Sequence, residues 1–201
     1  MATRGKVNLK RNFMRWYTGR HRTLAIAGIT AISMVGMSFF AGSATAAAIK
    51  GGTIYISVTP NNSATYPIVI TGAFADYGTA TTIDQNGTVN PNGNYVKVAL
   101  KQGGFEVNST ALNKKAGSTP PTFNSTTNCS YTFTVSGPIS LSKGSGAYKG
   151  ISGTLTITES FSAILPRYTS GKHKGQCNEG NSATPLASGG NISGSGKVSF
   201  G

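Results

Sequence analysis

Two carboxylates stand where strand alternation carries them toward an apolar interior. Glu159 shares the parity of Leu155, Ile157 and Phe161, while Thr154, Thr156 and Thr158 take the opposite face. A carboxyl turned into an apolar cavity loses hydration, so its pKa rises and it becomes suited to general acid or base work. A bulge that turns Glu159 outward, or a structural hydrogen bond that holds it inside, is the competing explanation. Asp76 follows the parity of Tyr66, Ile68, Ile70 and Phe74 and is the second catalytic candidate. Its place beside Tyr77-Gly78 also suits a turn cap. Tyr66, Tyr148 and Arg167 are the candidate ligand-binding residues, able to offer hydrogen bonds or a cation to a molecule in a cavity. The alternative is two tyrosines packed at the core edge and an arginine in a solvated loop.

Other chemistries find no support. His173 is flanked by Lys172 and Lys174, and no nucleophile motif accompanies it. Metal-ligating residue types are scattered, so no metal site is expected. Gly144, Gly146 and Gly150 do not space as a dinucleotide fingerprint. Gly196-Lys197 has Asn191 where a phosphate loop needs its first Gly, and Val198 where it needs Ser or Thr. No cofactor is expected.

The elements that must position these residues read as strands. Ile54, Ile56 and Val58 alternate with Tyr55 and Ser57. Val96, Val98 and Leu100 oppose Lys97, Ala99 and Lys101, and Phe105 and Val107 flank Glu106. Tyr131, Phe133 and Val135 continue in phase to Ile139 and Leu141, and Ile192, Val198 and Phe200 end the chain. This is period-2 patterning with one apolar face, bounded by turn signals such as Asn86-Gly87 and Pro91-Asn92-Gly93-Asn94. The expectation is an all-β, single antiparallel domain of about seven or eight strands, an eight-stranded up-and-down barrel or else a β-sandwich. Helical periodicity is absent after residue 46. Residues 110–128, with Lys114-Lys115 and Pro120-Pro121, read as a surface loop, and residues 166–190 as a longer one.

Charge divides the chain. The 201 residues carry 18 Lys and Arg against 5 Asp and Glu, a formal +13, yet only 11% are charged. That excludes an acidic tail and a salt-bridged helical bundle. Seven of the basic residues and no acid fall in residues 1–46, where Arg4 to Arg22 precede the apolar run Thr23–Gly42 and then Ser43-Ala44-Thr45-Ala46. The pattern reads as an N-terminal signal helix, a secretory signal peptide over 1–46 cleaved after Ala46, leaving a secreted β domain over 47–201. An uncleaved signal anchor is the alternative. After cleavage, 11 basic residues face 5 acids. Ten lysines spread over strands and loops form no basic stripe, so neither nucleic acid nor, after cleavage, a membrane is an expected partner. The residual positive charge still suits loose contact with anionic polymers. Six N-x-[ST] triplets, at Asn61, Asn86, Asn108, Asn124, Asn128 and Asn191, are glycan acceptors only in a secretory pathway that glycosylates.

Cys129 and Cys177 are the chain's two cysteines. Outside the cytosol an even pair points to a disulfide, against two free thiols.

The stretch from Ser142 to Thr154 is rich in Gly and flanked by strands, which predicts a wide hairpin or bulge. Gly144, Ser145, Gly146, Tyr148 and Gly153 match G-[ST]-G-x-[FY]-x-x-x-x-G, and the stretch resembles the hairpin of the allene oxide cyclase barrel and dirigent-like superfamily. The strand from Thr154 to Phe161 and the segment Gly194-Ser195-Gly196 extend the resemblance over residues 66–200. It implies a small eight-stranded barrel with a central apolar cavity, often homo-oligomeric, in a family that includes cyclases and guides of radical coupling. The family's catalytic residues do not map onto this chain.

Two functions compete at this point. One is a secreted, disulfide-stapled barrel binding a small apolar ligand, with cyclase or isomerase activity through Glu159. The other is a non-catalytic extracellular β module for surface or matrix interaction. An open lumen with Glu159 inside separates them from a filled core.

Overall fold

The computed structural model describes residues 49–60, 64–124, 128–180 and 183–201. The expected signal peptide over residues 1–46, with its expected cleavage after Ala46, lies outside the described residues. The described residues form nine strands: β1 (Gly52–Val58), β2 (Thr65–Gly72), β3 (Asp76–Ile83), β4 (Tyr95–Leu100), β5 (Gly103–Asn108), β6 (Thr122–Asn124), β7 (Ser130–Gly146), β8 (Ile151–Ile164) and β9 (Ala187–Phe200). One helix, α1 (Thr110–Ala116), lies between β5 and β6.

Every pairing is antiparallel. The order β5-β4-β3-β2-β1-β9-β8-β7-β6 closes on itself because β5 also pairs with β7. Eight strands therefore make a closed barrel, and the sandwich alternative falls. Closure leaves no free edge around the ring. β6 is the exception, a three-residue strand on the outer reach of β7, where Phe123 pairs with Tyr131. β7 is long enough to serve both partners: Ser130–Thr132 pair with β6, and Ser140–Gly146 with β5.

Alternation puts one apolar row of each strand inside. The register Val98–Phe105, Ile56–Ile70, Val58–Ile68 and Ile139–Leu155 brings the rows together as the core. β9 contributes Gly194 and Gly196 to the inner face. A Cβ at Gly194 would run into the Thr156 carbonyl oxygen of the β8 backbone and stand 2.6 Å from the Ile157 Cδ1, so the close β8–β9 approach requires Gly here.

The segment read as a surface loop instead contains α1. Seven residues are too few to show a helical period, and such a helix has little stability of its own in water. Tertiary contacts hold it. Leu112 is buried, and Gly137 on β7 lets it approach, since a Cβ there would lie 3.1 Å from the Leu112 Cδ1. The Lys115 Nζ donates to the Ser136 carbonyl at 2.7 Å.

The expected disulfide is present. Cys129 and Cys177, Cα atoms 5.2 Å apart, tie the start of β7 to the loop between β8 and β9.

Candidate functional site

The two ends of the barrel are built differently. At one end lie the β2–β3, β4–β5 and β7–β8 connections. Here Tyr148 is fully buried, with ring centroids 4.9 Å from Phe74 and 6.0 Å from Phe105, and Phe200 stands 6.2 Å from Phe74. These rings stop this end.

Asp76 and Tyr148 belong to that stopper. The Tyr148 hydroxyl donates to the Asp76 Oδ2 at 2.6 Å. The backbone N–H groups of Tyr77, Gln102 and Lys101 donate to the same carboxylate at 2.7, 3.0 and 3.3 Å. Burial pushes the Asp76 pKa up, but the four hydrogen bonds outweigh it and the net shift is downward. Burial and the facing carboxylate push the Tyr148 phenol up. Asp76 is therefore held ionised with its acceptors occupied. Neither residue lines the cavity described next.

The glycine hairpin explains Tyr148's position. Ala147–Gly150 turn tightly between β7 and β8. Gly146 and Gly150 take φ values of 58° and 79°, which favour glycine. The expected hairpin is there, and its motif sets the closed end rather than a ligand site.

The other end opens into a cavity of about 200 Å³. Its depth is apolar, with Ile56, Ile68, Val98, Ile139 and Ile157 on the wall, and Pro60, Pro91 and Asn191 stand toward the mouth. Leu112 and Ala116 of α1 complete one side.

Glu159 points into this cavity, as alternation predicts, and no bulge turns it away. It sits opposite Val135 and Ile192, one inward position nearer the mouth than Ile157. Water reaches it through the mouth, but protein surrounds it, and desolvation pushes its pKa up. Among the described residues it has no hydrogen-bond or ion-pair partner; the one ion pair there joins Lys143 and Glu106 on the surface at 2.8 Å.

Tyr66 shares the cavity. Its hydroxyl is hydrogen-bonded to Thr82. Burial pushes its pKa up, the Thr82 bond lowers it in part, and the nearby Glu159 charge raises it further. Ser109 and Asn113 also line the wall but are spoken for: the Ser109 hydroxyl donates to the Asn94 carbonyl at 2.9 Å, and the Asn113 amide donates to the Gly93 carbonyl and the Asn94 Oδ1.

Of the five site candidates, the fold thus brings Glu159 and Tyr66 together and places Asp76 and Tyr148 at the opposite end. Arg167 is exposed on the β8–β9 loop, where its Nη1 donates to the Gly175 carbonyl at 2.6 Å, and it does not line the cavity. His173 lies on the same loop, bonded to the Gln176 Oε1 at 2.8 Å. Sequence reasoning passed over Thr82, Phe133 and Phe161 as site residues. Their inward parity was readable, but nothing in a strand pattern separates a cavity wall from a packed core. Among the described residues no cluster of His, Cys, Asp and Glu could hold a metal ion.

The chain matches no family model, and no curated protein or solved structure is similar enough to count as a match.

Proposed function

We propose that this protein is a secreted barrel of the allene oxide cyclase and dirigent-like type that holds a small, mostly apolar molecule in its lumen. The observation that carries the reading is Glu159: a carboxyl with no hydrogen-bond or ion-pair partner among the described residues, facing an open cavity with apolar walls. A group that exists only to stabilise the fold is paired when buried. The closed eight-stranded ring and the glycine hairpin support the family reading, and the disulfide suits an extracellular place.

The neutral fluorophore N-phenyl-1-naphthylamine tests it. Its emission should rise on binding to the purified chain, and Ile157→Trp, which fills the cavity, should abolish the rise while circular dichroism stays unchanged. No rise with the unmodified chain overturns ligand binding and favours a module that works through its outer surface.

A second reading, proton transfer in a cyclase or isomerase reaction, rests on the same carboxyl. Its raised pKa brings it nearer to neutral pH, where it can both give and take a proton. Tyr66 is the one neighbouring hydroxyl with a titratable proton among the described residues of the wall.

A further inference from the structure

The proposed lumen site is selective in charge. Among the described residues that line it, Glu159 is the single group able to carry a charge near neutral pH; no Lys, Arg, His or Asp shares the wall, and Tyr66 is held neutral. A single carboxylate in such a site repels anionic ligands and attracts a cation. Three aromatic rings line the same cavity as the carboxyl. Phe161 lies two residues along the same strand, on the same face. Phe133 is its cross-strand partner, diagonal to Glu159 across the β7–β8 ladder. Tyr66 is near enough for the Glu159 charge to oppose its ionisation. All three rings line the cavity.

A carboxylate among aromatic rings is the recognition chemistry of organic ammonium ions, which gain from both the ion pair and the ring quadrupoles. A fully hydrated metal cation would not gain from the apolar depth below. An ammonium ion with a hydrocarbon tail would, because the tail reaches Ile56, Ile68, Val98 and Ile157 while the head stays at Glu159 near the mouth.

We infer that the lumen takes a small hydrophobic ammonium ion, with Glu159 as its counter-ion and Tyr66, Phe133 and Phe161 around its head. This rests on the lumen being a ligand site, and the test separates the two. Phenethylammonium, 2-phenylethanol and 3-phenylpropanoate have similar size but carry positive, zero and negative charge. Titrated into the purified chain by calorimetry at pH 7.5, the ammonium ion should bind about tenfold or more tighter than the alcohol, and the carboxylate weakest. Glu159→Gln should erase the preference for the ammonium ion and leave binding of the alcohol. Lowering the pH below the Glu159 titration should have the same effect on the unmodified chain, because Tyr66 stays neutral throughout. Equal binding of ammonium ion and alcohol, or a preference that survives Glu159→Gln, overturns the inference while leaving a ligand-binding lumen intact. Binding of none of the three overturns both. Should Glu159→Gln fail to fold, the ranking of the three ligands and its pH dependence decide the matter on the unmodified chain alone.

Discussion

Two carboxylates with the same strand-parity credentials end in opposite states, and their surroundings explain why. Asp76 meets four donors, so its folded pKa falls below the usual value of 3.8. Its contribution to stability is then fully present above the unfolded pKa and is lost as pH falls through the folded one. Tyr148→Phe should cost about 1–2 kcal/mol in urea unfolding at pH 7, through loss of the bond to a charged acceptor. Glu159 behaves in reverse. Its folded pKa is raised, so the folded state is favoured at low pH and loses stability as pH rises from the unfolded pKa through the folded one. Glu159→Gln should therefore stabilise the chain by about 0.5–2 kcal/mol at neutral pH, as substitutions at functional sites often do. The gain should shrink toward pH 4 in thermal melts. A variant less stable than the parent at pH 7 would mean that Glu159 has a structural role.

At the scale of elements, α1 joins stability to the site. It is held by Leu112, by the space above Gly137 and by the Lys115 contact, and it forms one wall of the cavity. Leu112→Ala should destabilise by about 2–4 kcal/mol and enlarge the lumen on that side. Denaturation, with affinity for N-phenyl-1-naphthylamine as the second readout, checks both effects. A loss of stability with unchanged probe affinity would show that the helix supports the barrel without shaping the ligand site. Seven of the strands were legible because their apolar rows repeat every second residue; β3 was not, because its inward row is Asp76, Gly78, Ala80 and Thr82 and carries no large apolar side chain, and three-residue β6 is too short to show a period. The helix was not, because a seven-residue segment with one buried side chain carries no period. The Gly-rich hairpin was legible as a turn, but its role in seating Tyr148 on Asp76 was not. Those residues are 72 apart in the chain and meet only when β3 and the β7–β8 turn reach the same end of the ring.

Across the whole molecule, closure and covalent linkage act together. The Cys129–Cys177 bond has a sequence separation of 48 and encloses all of β7 and β8. In the chain-entropy account, a loop of that length adds about 4 kcal/mol by restricting the unfolded chain. Urea unfolding with and without reductant should show a difference of that order. A negligible difference would place the loop outside the cooperative unit. The expected signal peptide belongs to this scale too: mass spectrometry of chain recovered from the culture medium should find an N-terminus at Ala47, and a chain that starts at Met1 would refute cleavage after Ala46.

The sequence by itself determined seven of the strands, the inward parity of Glu159, the pairing of the two cysteines and the uneven charge that marks residues 1–46. These are local or countable properties, fixed by alternation along one segment or by composition. Only the tertiary structure decided that the sheet closes, which end stays open, and which inward residues line empty space. Inward-facing Asp76 and inward-facing Glu159 are alike along the chain. They differ because one end of the barrel is filled by Phe74, Phe105, Tyr148 and Phe200, and the other keeps a cavity in which a carboxyl finds no partner among the described residues.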